Sequence, residues 1–258
     1  MALGQRRALV IGNDEYHTQS RLRNAVNDAH GVTQALRALN FHVKYETDLN
    51  GGVLENNAGQ FVSNVHQGDT VFFYFSGHGL QYENRNYLVG VNAGQLTSAN
   101  FRPYCLGATR LLENLVAKHP RTIIFILDCC RNNPFVRYND AMNGHDRSSG
   151  FKHGLAKMEF DAPTHKSVNQ RRPAIRIIIG FACASGATSR DRSLHDGRGM
   201  YGYHLVAQLT RRTNITKILK QVRTAVIRDS QSTQIPYVHD NGHEPEHLSD
   251  ASDGFESN

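Results

Sequence analysis

Thr122-Ile-Ile-Phe-Ile-Leu-Asp-Cys-Cys-Arg-Asn-Asn-Pro134 decides the fold. Its first half is apolar and rich in β-branched residues, which suits a strand over 122–127 buried on both faces. At Asp128 the character changes abruptly to an acid, two cysteines, Arg131 and a turn-forming Asn-Asn-Pro. Open α/β sheets build their sites at the carboxyl ends of such strands. A second stretch, Val71-Phe-Phe-Tyr-Phe-Ser-Gly-His-Gly79, predicts a strand over 71–75 and then a loop holding a histidine between two glycines. Cys130 and His78 are therefore the candidate functional pair.

Working outward, Arg7-Ala-Leu-Val-Ile-Gly12 reads as a first buried strand closed by a Gly-Asn-Asp turn. Leu22, Val26, Ala29, Val32, Leu36 and Leu39 recur at helical spacing and predict an amphipathic helix. Residues 41–45 alternate as a short strand, and a second helix is expected from Gly51 to Val65. Asn86 to Val91 is another strand, Leu106 to Lys118 a helix, and Ala174 to Ala182 a further strand. Two helices, over 200–211 and 215–229, follow. Strands alternating with helices specify an α/β fold with a mostly parallel central sheet and helices on both faces.

The 134–172 stretch is rich in Asn, Gly, Ser and charged residues without periodicity, and reads as a long mobile loop. It divides one domain over 1–239 into a part at 6–133 and a part at 173–239. From Asp240 to the end there are six acids and no Lys or Arg. That composition does not repay its ordering entropy, so 240–258 is expected to be a disordered acidic tail.

The 258 residues suffice for a sizeable core. No apolar run reaches the roughly 18 residues of a membrane span, and no signal-peptide core precedes the first strand. The expectation is a soluble, cytoplasmic protein with no membrane partner. The net charge of +6 and pI near 9.2 invite a nucleic-acid reading. However, the basic residues are scattered and lack interleaved aromatics, so no nucleic-acid partner is expected. The four cysteines contain no Cys-x₂-Cys pair, so no zinc site or other metal is expected.

A thiol must become a thiolate to attack a carbonyl, and a nearby histidine can take that proton and return it to a leaving amine. The resulting oxyanion needs backbone N–H donors; Gly79 and the nucleophile Cys130 are the candidates. Taken singly, a buried cysteine is more often an inert packing group and a histidine between glycines a turn residue. Their joint placement at two strand ends favours chemistry.

The chain resembles the caspase-fold cysteine peptidases (family C14), and most of all their paracaspase, orthocaspase and metacaspase branch. The resemblance rests on Ala8-Leu-Val-Ile-Gly-Asn13, Leu22-Arg-Asn-Ala-Val-Asn-Asp-Ala29, Tyr74-Phe-Ser-Gly-His-Gly79, Asn86-Tyr-Leu-Val89, Asp128-Cys-Cys-Arg-Asn-Asn-Pro134 and Gln234-Ile-Pro236, in family order. It implies a His78/Cys130 dyad and selects Cys130 over Cys129, which is left as a packed thiol. It also makes the 134–172 loop the linker between large- and small-subunit-like parts, where self-cleavage would occur.

Caspases proper carry Gln-Ala-Cys-Arg-Gly and cut after aspartate. Here Asp128 stands two before the cysteine, as in the branch that cuts after Arg or Lys. Asp28 matches the second acid of the pocket for the residue before the cut. Paired carboxylates would repel an acidic side chain and bind a guanidinium bidentately. A third family acid is replaced by Thr188; either Asp191 nearby substitutes for it or the pocket carries less charge. Gly202 stands where the family has threonine. The resemblance thus implies an endopeptidase taking peptide substrates with Arg or Lys before the cut, and admits a homodimer. It requires no cofactor, and the acid clusters of Ca²⁺-activated metacaspases are not identified here. The alternative is a weak or inactive caspase-fold scaffold in a signalling assembly.

Overall fold

The computed structural model describes residues 4–18, 21–83, 85–130, 151–152, 174–183, 196–211 and 213–242. Six strands form its main sheet: β1 (Arg6–Gly12), β2 (His42–Thr47), β3 (Thr70–Tyr82), β6 (Thr122–Cys130), β8 (Arg176–Phe181) and β9 (Tyr237–Asp240). They lie in the order β2-β1-β3-β6-β8-β9, with every pair parallel except β8–β9. Three short strands, β4 (Arg85–Val89), β5 (Cys105–Gly107) and β7 (Phe151–Lys152), extend it by antiparallel pairing around the end of β3.

The alternation of side chains along the central strands divides the core in two. Leu9, Ile11, Val71, Phe73, Phe75, Ile123, Phe125, Leu127, Ile177 and Ile179 face α2 (Gly51–Ser63) and α3 (Ala108–Val116). Ala8, Val10, Phe72, Tyr74, Ile124, Ile126 and Ile178 face α1 (Ala25–Ala38), α4 (Met200–Leu209) and α5 (Ile215–Asp229). Helices thus cover both faces of a mostly parallel sheet, which is why the central strands read as unbroken apolar runs. Chain order reverses between β1 and β3, the kind of crevice where open α/β sheets bind ligands.

Helix starts are pinned by side chains. The Asn50 and Asn214 side chains accept the N–H of Val53 and Lys217, each at 3.0 Å, capping α2 and α5. At α1 the nominal cap Asn24 makes no such side-chain bond, and a distant carboxylate takes over. Asp14 accepts the N–H groups of Ala25 and Val26 at 2.8 and 3.0 Å.

The structure departs from the sequence reading in several places. Gly77-His78-Gly79 is not a loop: β3 runs through it to Tyr82. Glycines signal turns locally, but here β6 pairs as far as His78 and β4 takes over from Gly79, so the chain stays extended. For the same reason β6 continues to Cys130. The helix expected from Leu106 begins at Ala108, because Cys105–Gly107 pairs with Tyr87–Val89 as β5. Within the loop expected at 134–172, Phe151–Lys152 pairs with Gln81–Tyr82 as β7; the rest of that stretch lies outside the described residues.

At the carboxyl end, Asp240 completes β9 and is not the start of a structureless tail. Its carboxylate receives Arg176 at 2.8 Å and the Thr216 hydroxyl at 2.6 Å, while Asn241 accepts the Ile177 N–H at 2.6 Å. Composition alone misses this, since the stabilisation comes from the Arg176 guanidinium on β8 and the Thr216 hydroxyl on α5. Residues 243–258 lie outside the described residues.

Candidate active site

β3 and β6 pair one-for-one from Thr70 opposite Thr122 to His78 opposite Cys130. The register brings the two residues of the candidate pair to neighbouring positions on the two central strands, at the carboxyl end of β6 and where its pairing with β3 stops. Cys129 is buried in the core on the α2/α3 side, packed with Phe125, Leu127 and Phe181. Gly79, the candidate oxyanion donor, lies one step beyond His78 and opposite Leu88 of β4.

His78 is only 3% exposed. Its main-chain N–H donates to the Tyr16 hydroxyl at 2.8 Å, and the two rings lie 4.3 Å apart at 53°. The Tyr16 hydroxyl in turn donates to the Val89 carbonyl at 3.2 Å. Just upstream, buried Asn13 joins three segments: its N–H reaches Ser76, its amide donates to Leu49 and Val89, and its carbonyl oxygen receives the Leu49 N–H.

The two candidate pocket acids are both buried. Asp28, on α1, is 3% exposed and accepts the Gly199 N–H at 2.9 Å, at the start of α4. A helix start suits a carboxylate, because its N–H groups and dipole are unsatisfied there. Asp128, on β6, is 8% exposed and accepts the Tyr74 hydroxyl at 2.9 Å. Burial first, and then the Asp128 charge, push the Asp28 carboxyl well above its ordinary value; the Gly199 N–H and Arg198 pull the other way. Burial and the same two acids push the Tyr74 phenol well above its ordinary value, so it stays a donor to Asp128. Burial and Asp128 raise the Tyr201 phenol likewise.

Space as well as charge shapes this enclave. A Cβ placed on Gly202 would fall 2.2 Å from Asp28 Oδ1 and 2.4 Å from its Cγ. The glycine that stands in place of the family's threonine is thus the residue that admits the Asp28 carboxylate. Asp191, the candidate third acid, lies outside the described residues, as does Thr188. Among the described residues no group of three or more His, Cys, Asp or Glu side chains is arranged to hold a metal ion. No helix among them is long and apolar enough to cross a membrane.

The caspase domain of the C14 peptidase family matches residues 5–244, nearly the whole chain. The chain belongs to the caspase-domain family. Two curated relatives agree with its paracaspase and metacaspase branch: the human mucosa-associated lymphoid tissue lymphoma translocation protein 1 and its mouse homologue. Each is 30% identical over 125 residues, 48% of this chain. The chain spans only 15% of the human protein and 14% of the mouse one. Among solved structures, protein GSU0716 from Geobacter sulfurreducens superposes with a TM-score of 0.60 over 93% of this chain and 94% of its own, at 13% identity. That likeness is one of fold.

Sequence reasoning missed Tyr16, Tyr74 and Tyr201. Tyr74 and Tyr201 fall within a predicted strand and a predicted helix, with no separate role given to their hydroxyls. Their signal was a phenol in a buried run, since a buried tyrosine hydroxyl needs a partner. Tyr16 sits in a polar turn, where nothing local distinguishes it from a solvated side chain.

Proposed function

We propose that this caspase-family chain is a cysteine-type endopeptidase that cuts after Arg or Lys. The observation that supports the reading most is the pairing of His78 with Cys130 on adjacent strands, beside an enclave holding two buried carboxylates. In this reading the Cys130 thiol passes its proton to His78 and the thiolate adds to the scissile carbonyl. The N–H groups of Gly79 and Cys130 receive the oxyanion. Its collapse breaks the C–N bond, and His78 returns the proton to the leaving amine. Water then attacks the thioester, giving its proton to His78, and the acid product and free thiol are released. Asp28 and Asp128 hold the guanidinium or ammonium of the residue before the cut, and Asp191 adds charge. The reading extends to peptide substrates in the cytoplasm.

Matched fluorogenic peptides with Arg, Lys or Asp before the cut, offered to wild type and to Cys130→Ala, test it. Cleavage of the basic peptides by wild type alone is the expected result. Cleavage that persists in Cys130→Ala overturns the nucleophile assignment, and a wild type that cuts none of them returns the chain to the scaffold reading.

A further inference from the structure

We infer that Tyr16 is a positioning residue for His78, locking the backbone that carries the imidazole; this rests on the peptidase reading above. Three contacts converge on the tyrosine. Its hydroxyl accepts the His78 N–H at 2.8 Å and donates to Val89 O at 3.2 Å, and its ring packs 4.3 Å from the imidazole. The hydroxyl therefore ties β3 at His78 to the far end of β4. Both side chains are almost fully buried, so water does not compete for these bonds.

The segment that delivers Tyr16 is itself fixed at both ends. Asp14 donates its N–H to Asp48 at 2.8 Å and caps α1 with its carboxylate. His17 donates its N–H to Val91 at 3.0 Å, and the Thr18 hydroxyl donates to Ala93 at 2.6 Å. Gly77 is shaped to the same contact: a Cβ there would lie 2.7 Å from the Tyr16 hydroxyl. The glycine before the histidine thus makes room for the phenol, in addition to any closeness it allows to substrate.

The clamp acts on the reacting geometry, because the Tyr16 hydroxyl and ring both bear on His78. Tyr16→Phe keeps the ring and removes only the hydroxyl. It is expected to lower kcat on an Arg peptide about tenfold, the scale of one buried hydrogen bond and a small misplacement, with KM within about twofold. Gly77→Ala should lower kcat at least as much, because its Cβ would meet the Phe75 ring at 2.8 Å as well as the Tyr16 hydroxyl at 2.7 Å. In Tyr16→Phe the hydroxyl that the added methyl would strike is gone and only the Phe75 contact remains, so the double variant should lose less than the sum of the two single effects.

A readout independent of cleavage is the His78 ring proton signal in the NMR spectrum of the full chain, assigned by its disappearance in His78→Ala. In Tyr16→Phe and Gly77→Ala this signal is expected to broaden or shift, while the other histidine signals hold. An unmoved His78 signal in both variants overturns the inference, as do losses that simply add in the double variant. A wild type that cuts no peptide, but whose His78 signal still moves in Tyr16→Phe, overturns the peptidase reading and leaves the positioning role supported.

Discussion

Replacing Asp128 with asparagine removes one negative charge from the buried enclave while keeping its shape. The asparagine carbonyl still accepts the Tyr74 hydroxyl, which Asp128 receives at 2.9 Å. Removing one partner from a desolvated, hydrogen-bonded charge pair typically costs about 2–5 kcal/mol, or roughly 30-fold to several thousand-fold. The upper part of that range is not expected here. The Asp128 charge is among the groups that raise Asp28, so its loss lets Asp28 ionise more readily and meet the guanidinium alone. The expected drop in kcat/KM for Arg peptides is therefore on the order of 30-fold. Arg should also lose its advantage over Lys, because the bidentate geometry of the guanidinium counts for less with a single carboxylate. Alkylation of the thiol by iodoacetamide should be unchanged, since neither member of the dyad is altered. The assay is kcat/KM on matched Arg, Lys and Asp peptides, with thermal melting as a control. A loss under about threefold refutes the electrostatic reasoning, and so does an equal loss on all three peptides. A wild type that prefers Asp sinks the pocket assignment.

Asp28 predicts a pH dependence of stability. Its folded-state carboxyl titrates above the unfolded one, so the folded chain keeps a proton that the unfolded chain has released. Stability should fall as pH rises from the ordinary carboxylate range through the folded value, and Asp28→Asn should flatten that fall; parallel Tm–pH curves for the two proteins would contradict it. Gly202→Thr should destabilise by at least ~2 kcal/mol, because its Cβ would sit 2.2 Å from Asp28 Oδ1. Adding Asp28→Ala should recover much of the lost Tm, and a double variant no better than Gly202→Thr rules out the steric account. His78→Ala and Cys130→Ala should each abolish cleavage, whereas Cys129→Ala should keep most activity and cost only about 1 kcal/mol of packing. Activity surviving in Cys130→Ala and lost in Cys129→Ala would shift the nucleophile by one residue.

The sheet was legible because parallel strands covered on both faces must be apolar throughout: 71–75 and 122–127 announce themselves, and alternation with helices implies the crossovers. The His78–Cys130 pair was legible because acids, thiols and histidines are out of place at the ends of such runs. Where each strand stops was not legible. Gly77-His78-Gly79 reads as a turn until β6 and β4 are present on either side to hold it straight. Asp240 reads as a tail residue until Arg176 and Thr216 arrive from distant chain. Local polarity and its period were enough for the fold class, the order of the helices and of six strands, and the residue types available for chemistry; β5, β7 and β9 were not among those strands. Only the tertiary structure decided that Asp28 meets the start of α4, that Gly202 leaves space for it, and that Tyr16 holds the histidine. Each of these is a contact between segments far apart in the chain, and its energy exists only once burial has removed the water that would otherwise satisfy the same groups.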